Sequence, residues 1–245
     1  MAENKVVALH KEGHAKTKIN TQNLFQHIAN EHMLPVVVHE FVVAGAEFPI
    51  VFVKDQSGEN FQPVVLLGLS AQQNLVIKDG KWDGMYVPRV ARNYPLVLVQ
   101  DQPGSDRLIV AIDESSARVN DTEGFALFNE DGTESDYLVA RKQQMADFVD
   151  FSQITHNFTL KMQELGLIKE QVLTVTINEE KRNINGINMI DDKALNELSD
   201  ETFLELRKLG YLTAIYAHLM SLQHTQKLVQ KLAARDAAAA AAKTQ

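Results

Sequence analysis

A change of rhythm near Glu134 constrains the fold of this chain more than any other feature of its sequence. Before that point, short apolar runs of strand length alternate with turn residues. Ile50-Val51-Phe52-Val53 reads as a buried strand. Pro49 disfavours helix at Phe48 just before it, and Asp55-Gln56-Ser57-Gly58 ends it in a turn. Phe61–Leu69 is the next strand, with Pro63 near its start, and Asn74–Ile77 is another. The Asp79-Gly80 pair before Trp82 is a hairpin signal, because both residues tolerate the positive φ that a tight two-residue turn needs. Met85–Asn93 has room for a helical turn that stops before Pro95. Leu96–Val99 and Arg107–Ile112 are two further strands. Pro103-Gly104 turns the chain between them, since Pro presets φ and Gly accepts positive φ. Strands joined so closely favour an antiparallel sheet and not the alternating strand–helix rhythm of a parallel one.

After Glu134 the apolar spacing becomes helical over Ser135–Phe151 and Gln153–Leu165, with Gly166 as the C-terminal cap. Val172–Ile177 and Ile184–Met189 alternate as two strands of a small β-hairpin, with Lys181-Arg182-Asn183 near its turn. Asp192–Leu198 is a short helix, and Ser199 can cap another that Gly210 ends. Leu212–Leu232 carries apolar residues near one face, as a long final helix does. The fold class is therefore α+β. A mainly antiparallel sheet fills the N-terminal half, and helices with a small hairpin and a long last helix fill the C-terminal half. The expected organisation is an arm over 1–33, with a short helix at Thr21–Ile28, then a sheet-rich half over 34–133. A helix-rich half over 134–235 shares its core, and a flexible tail follows over 236–245.

Composition narrows the function by exclusion. No cysteine is present, which removes disulfides, thiolate nucleophiles and cysteine-held metal centres and fits a reducing compartment. The formal net charge of −8 opposes binding to nucleic acid, whose affinity rests on Lys and Arg displacing counterions. It disfavours anionic membranes in the same way. The start of the chain has no long apolar core of a signal peptide. No apolar run approaches the ~18–20 residues that span a bilayer. A cytoplasmic protein without an integral membrane segment is expected. No glycine-rich nucleotide loop and no GxSxG element occurs, so no cofactor and no metal is assigned.

Two constellations remain. Five of the eight histidines precede Glu40, and His32, His39 and Glu40 could converge on a metal; solvated or structural histidines are the simpler account. The second lies around Trp82, Tyr86, Arg89, Arg92 and Tyr94. Arg89 and Arg92 are spaced to share a helix face, and a planar guanidinium matches a carboxylate or phosphate. Beside them, Glu40 and Glu47 sit among apolar residues, where a carboxylate is costly to bury unpaired. The simpler account puts the aromatics in the core and pairs the arginines with Glu40 or Glu47, with a buried ion pair of Glu40 with Arg92 foremost. A general acid or base is the other reading.

Glu40, Glu47-Phe48-Pro49-Ile50-Val51-Phe52, Pro63-Val64-Val65-Leu66-Leu67-Gly68-Leu69 and Asn74-Leu75 come in an ordered series of blocks. Trp82, Tyr86-Val87-Pro88, Arg92-Asn93-Tyr94-Pro95, Leu127-Phe128 and Asp131-Gly132 continue it, and Gly186-Ile187, Gly210-Tyr211-Leu212 and His218-Leu219 close it. In order and spacing, from about His14 to about Val229, they resemble the SapC family. The resemblance implies an accessory of a bacterial surface layer or of outer-membrane uptake systems, and it transfers no catalytic residue. On that basis the expected function is a non-enzymatic binding protein that acts through a protein partner or a small anionic ligand, with homo-oligomers open. The alternative is an enzyme, or an enzyme's partner, acting on an anionic small molecule or peptide at Trp82–Tyr94.

Overall fold

The structure, a computed structural model, describes residues 5–22, 25–55, 57–177 and 180–243. Asn23 and Leu24 of the expected Thr21–Ile28 helix, Gln56 of the Asp55–Gly58 turn and the last two residues of the tail lie outside them. The chain opens with β1 (Val6–Ala8), α1 (Lys11–His14) and β2 (Lys18–Ile19). A 3-10 turn at Gln26–Ile28 precedes β3 (Met33–Pro35). A second, at Val38–Glu40, leads into α2 (Phe41–Gly45). Then come β4 (Ile50–Lys54), β5 (Phe61–Leu66), β6 (Ile77–Lys78), β7 (Lys81–Trp82), α3 (Arg89–Asn93), β8 (Leu96–Gln100) and β9 (Leu108–Asp113). β10 (Val119–Asn120) and β11 (Phe125–Ala126) end the strand-rich stretch. The second half holds α4 (Asp136–Glu164), β12 (Ile168–Ile177), β13 (Glu180–Ile190), α5 (Asp192–Asn196), α6 (Asp200–Lys208), α7 (Tyr211–Ser221) and α8 (Thr225–Lys243).

The α+β reading holds, and among the described residues every strand pairing is antiparallel. The larger sheet has the order β12-β13-β4-β5-β3, so the late hairpin extends the early sheet. Asn188 faces Phe52 across that seam and donates its side-chain amide to the Phe52 carbonyl at 3.3 Å. A smaller sheet has the order β1-β9-β8. The Asp79-Gly80 turn joins β6 to β7 with both residues at positive φ, 52° and 75°. Gly124 is held more tightly still. Its φ is 102°, and an added Cβ would lie 2.1 Å from the Ile19 carbonyl oxygen. Gly124→Ala is expected to cost about 2–3 kcal/mol, from backbone strain plus the shift that contact forces. Urea unfolding measures it, and an unchanged midpoint would show that the β2–β11 contact gives freely.

The two apolar spans expected after Glu134 form one helix. α4 is 29 residues long, about 44 Å at 1.5 Å per residue. Ser152, between the spans, turns its hydroxyl back onto the Phe148 carbonyl at 2.7 Å and does not stop it. Ser135 caps the start, accepting from Leu138 N at 3.2 Å. Leu138 and Met145 pack into a small core with Leu96, Ile112 and Leu127. One end further on, Phe158 and Met162 enter the main core with Phe41, Phe52 and Ile215. A single rigid helix thus serves both cores. The long final helix begins at Tyr211, passes through a 3-10 turn at Leu222–His224 and resumes as α8 to Lys243. At the break, Ser221 accepts from Ile50 N at 2.9 Å and donates to the His218 carbonyl at 2.6 Å, tying the helix to β4. No helix among the described residues is long and apolar enough to cross a membrane.

Candidate functional site

Glu40 and Glu47 flank helix α2, and both reach the same segment, residues 85–89. Glu40 is buried, at 1% exposure. One of its oxygens accepts the Tyr86 hydroxyl at 2.5 Å and the Arg89 amide at 2.9 Å, and the other accepts the Val37 amide at 3.1 Å. The Glu47 carboxylate takes the Met85 amide at 2.9 and 3.1 Å and the Tyr86 amide at 2.8 Å. A loop carries backbone donors that no sheet satisfies, and here two carboxylates satisfy them. Burial first, then the bond to Glu40, pushes the Tyr86 hydroxyl above the ordinary range for tyrosine, so it stays a donor.

With the acids so engaged, the arginines are left to the rings. The Arg89 guanidinium carbon lies 5.2 Å from the Phe151 ring centre, and that of Arg92 lies 5.5 Å from the Tyr86 ring centre. Both are within cation–π range. Arg92 also donates to the Val87 carbonyl at 2.8 Å. Among the described residues no carboxylate forms an ion pair with either one. The pairing of Glu40 with Arg92 that the sequence suggested is replaced by neutral donors. His39 stacks on Phe151 at 3.9 Å and 20°, which gathers two basic groups on one ring. Partial burial, then Arg89, lowers the His39 pKa.

The other two aromatic candidates are packed among other rings. Trp82 is a core residue, edge-on to Phe48 at 5.7 Å and tilted against Phe25. Tyr94 lies further along the same row of rings: its hydroxyl donates to Asp113 at 2.8 Å, its ring stacks on His27 at 3.8 Å, and His27 meets Phe25 at 6.0 Å. Arg118, 6% exposed, donates to the Tyr94 carbonyl at 2.5 Å and lies 4.8 Å from the Phe25 ring centre. Burial first, then Arg118, pulls the His27 pKa down to about 4. Phe151, His27 and Arg118 were not legible as site residues, because only the tertiary fold brings them to their partners. His32 and His39 do not meet on a metal: among the described residues no group of three or more His, Asp or Glu could hold one.

The family model for SapC matches residues 9–228. The chain belongs to the SapC family. No curated protein and no solved structure matches it. In this SapC-family chain, four of the residues that carry the resemblance, Glu40, Glu47, Tyr86 and Arg92, meet in the cluster that holds residues 85–89.

Proposed function

We propose that this SapC-family protein is a binding protein rather than a catalyst, and that the Arg89–Arg92 helix receives a carboxylate or phosphate of a partner. The observation that supports it is the state of the two guanidiniums: each rests on an aromatic ring, and neither is met by a carboxylate among the described residues. Glu40 and Glu47 are committed as acceptors of N–H and O–H bonds, which argues against a free acid or base beside them. The enzyme alternative needs Trp82 and Tyr94 to face a common substrate, and the burial of Trp82 in the core weighs against it. We place the protein in the cytoplasm, as an accessory of surface-layer or outer-membrane uptake systems. The cysteine-free composition supports the reducing compartment, and the family resemblance supports the accessory role.

The test is a titration of isotope-labelled protein with N-acetyl amino acids that carry a free carboxylate, against their amide-capped counterparts. The carboxylates are expected to move the amide signals of Tyr86, Arg89 and Arg92, and the amides to leave them in place. Arg89→Ala with Arg92→Ala is expected to weaken the response about tenfold, or ~1.4 kcal/mol. Equal responses to both probes would overturn the reading.

A further inference from the structure

Strand β8 ends the small sheet, whose order is β1-β9-β8. The pairing fixes which backbone groups it leaves open. Asp113 N donates to the Pro95 carbonyl at 3.0 Å, and Asp101 N donates to the Arg107 carbonyl at 2.9 Å. With Leu96 opposite Ile112 and Gln100 opposite Leu108, these two bonds set the parity of the ladder. Val97 and Val99 turn their N–H and C=O toward β9. Leu96, Leu98 and Gln100 turn theirs outward, where among the described residues no strand pairs with them. Such a row of open donors and acceptors is a template for another extended chain.

This edge does not face open solvent alone. Between it and α4 runs a groove of about 470 Å³, lined chiefly by Val90, Leu96, Leu98, Met145, Phe148 and Val149. Val149, at 40% exposure, and Val90, at 37%, leave part of its wall uncovered. A free fatty chain would fill the apolar space and leave the strand's polar groups unmet. A peptide in extended form would satisfy both, with alternate side chains against α4. Direction follows from charge. Asn93 lines the groove beside Leu96, so the Arg89–Asn93 helix lies at the start of β8. A chain running antiparallel to β8 brings its C-terminus to that end, where two guanidiniums have no carboxylate partner among the described residues.

We infer that the groove between β8 and α4 accepts the extended, apolar C-terminal segment of a partner protein, added as a fourth strand to the small sheet with its terminal carboxylate at Arg89 and Arg92. The carboxylate contact rests on the binding reading above; the strand addition stands on the edge and the groove.

The probe is a display library of short random peptides that end in a free C-terminal carboxylate, selected on the full chain. Affinity of an enriched peptide is then read by fluorescence anisotropy. Leu98→Pro removes one outward N–H and leaves the bonds to β9 intact, a place where an edge strand tolerates proline. Val149→Glu puts a charge into the groove from an exposed helix position and serves where Leu98→Pro disturbs the sheet by circular dichroism. Each variant is expected to weaken binding about tenfold or more, and amide capping of the peptide to do the same. No enrichment over a Leu98→Pro control overturns the inference, as does an enriched peptide indifferent to both variants. Dimers that Leu98→Pro abolishes, without peptide enrichment, would assign the edge to a second copy and also overturn it. Loss of binding on Arg89→Ala with Arg92→Ala, but not on Leu98→Pro or Val149→Glu, would sink the strand addition and leave the anion site. The reverse pattern would sink the anion site and leave the strand addition.

Discussion

Glu40→Ala is expected to lower the folding stability by about 4 kcal/mol, which is a large share of what a domain of this size possesses. The carboxylate is buried and receives three donors, the Tyr86 hydroxyl and the amides of Val37 and Arg89. Alanine leaves all three facing a void. Each buried donor without an acceptor costs about 1–3 kcal/mol, partly relieved if water enters. Tyr86→Phe removes only one of the three bonds and leaves the two amides served, so about 1–2 kcal/mol is expected. Urea unfolding of the three proteins gives the comparison. A Glu40→Ala protein within 1 kcal/mol of the parent would mean that the loop over residues 85–89 is not held from below, and the account of the site would fail with it.

His218→Ala is expected to cost about 3–4 kcal/mol at neutral pH and to flatten the loss of stability in acid. The imidazole is fully buried on α7 and bridges two strands. Its Nε2 accepts from Ile190 N at 3.0 Å, which leaves Nδ1 to donate to the Ile50 carbonyl at 2.9 Å. Both nitrogens are used in the neutral form; a second proton would point at the Ile190 N–H. Burial lowers the pKa to about 4, with the bond to Ile50 opposing it. The folded pKa is below the unfolded value of 6.5, so the unfolded chain takes up its proton first. The stabilisation is fully present above pH 6.5 and falls as pH drops from 6.5 toward 4, by about 3 kcal/mol in total. Below that the contribution is flat. Carboxylates and His27 titrate nearby, so the measurement is the difference between parent and variant in unfolding free energy across this window. Parallel curves would contradict the bridge.

The parts of the fold that sequence revealed are those fixed by local chemistry. Asp79-Gly80 turns as a positive-φ pair must, and Leu96–Val99 pairs with Arg107–Ile112 across the Pro103-Gly104 turn. Ser199 caps α6 by accepting from Thr202 N, and Gly210 ends it in the left-handed conformation. What stayed hidden depends on distant partners. Val36–Val43 has β-branched residues, yet it bends into a 3-10 turn and helix because Glu40 gathers donors from residues 37, 86 and 89. The break at Leu222–His224 follows from Ser221 bonding to Ile50, a residue 171 positions away.

The candidate site divides along the same line. Tyr86, Arg89 and Arg92 were legible as a group because they are neighbours in sequence, and Glu40 and Glu47 because apolar surroundings make a carboxylate conspicuous. The role of the two acids was not legible. Sequence could offer an ion pair or an acid–base pair, but not amides, since a loop's unserved N–H groups leave no mark on residue type. Tyr94 was grouped with Tyr86 by proximity, and the fold sends it to Asp113 and His27 instead.

Glu40 is held by neutral donors, and neither guanidinium is paired with a carboxylate among the described residues. A double-mutant cycle on Glu40→Gln and Arg92→Ala, read by urea unfolding, separates this arrangement from an ion pair. Arg92 is exposed and its removal leaves the core untouched. A coupling energy under about 1 kcal/mol is expected, carried only through Tyr86, which both residues touch. A coupling of about 2 kcal/mol or more would reveal a buried ion pair between them, and the arginine would then belong to the fold rather than to a binding site.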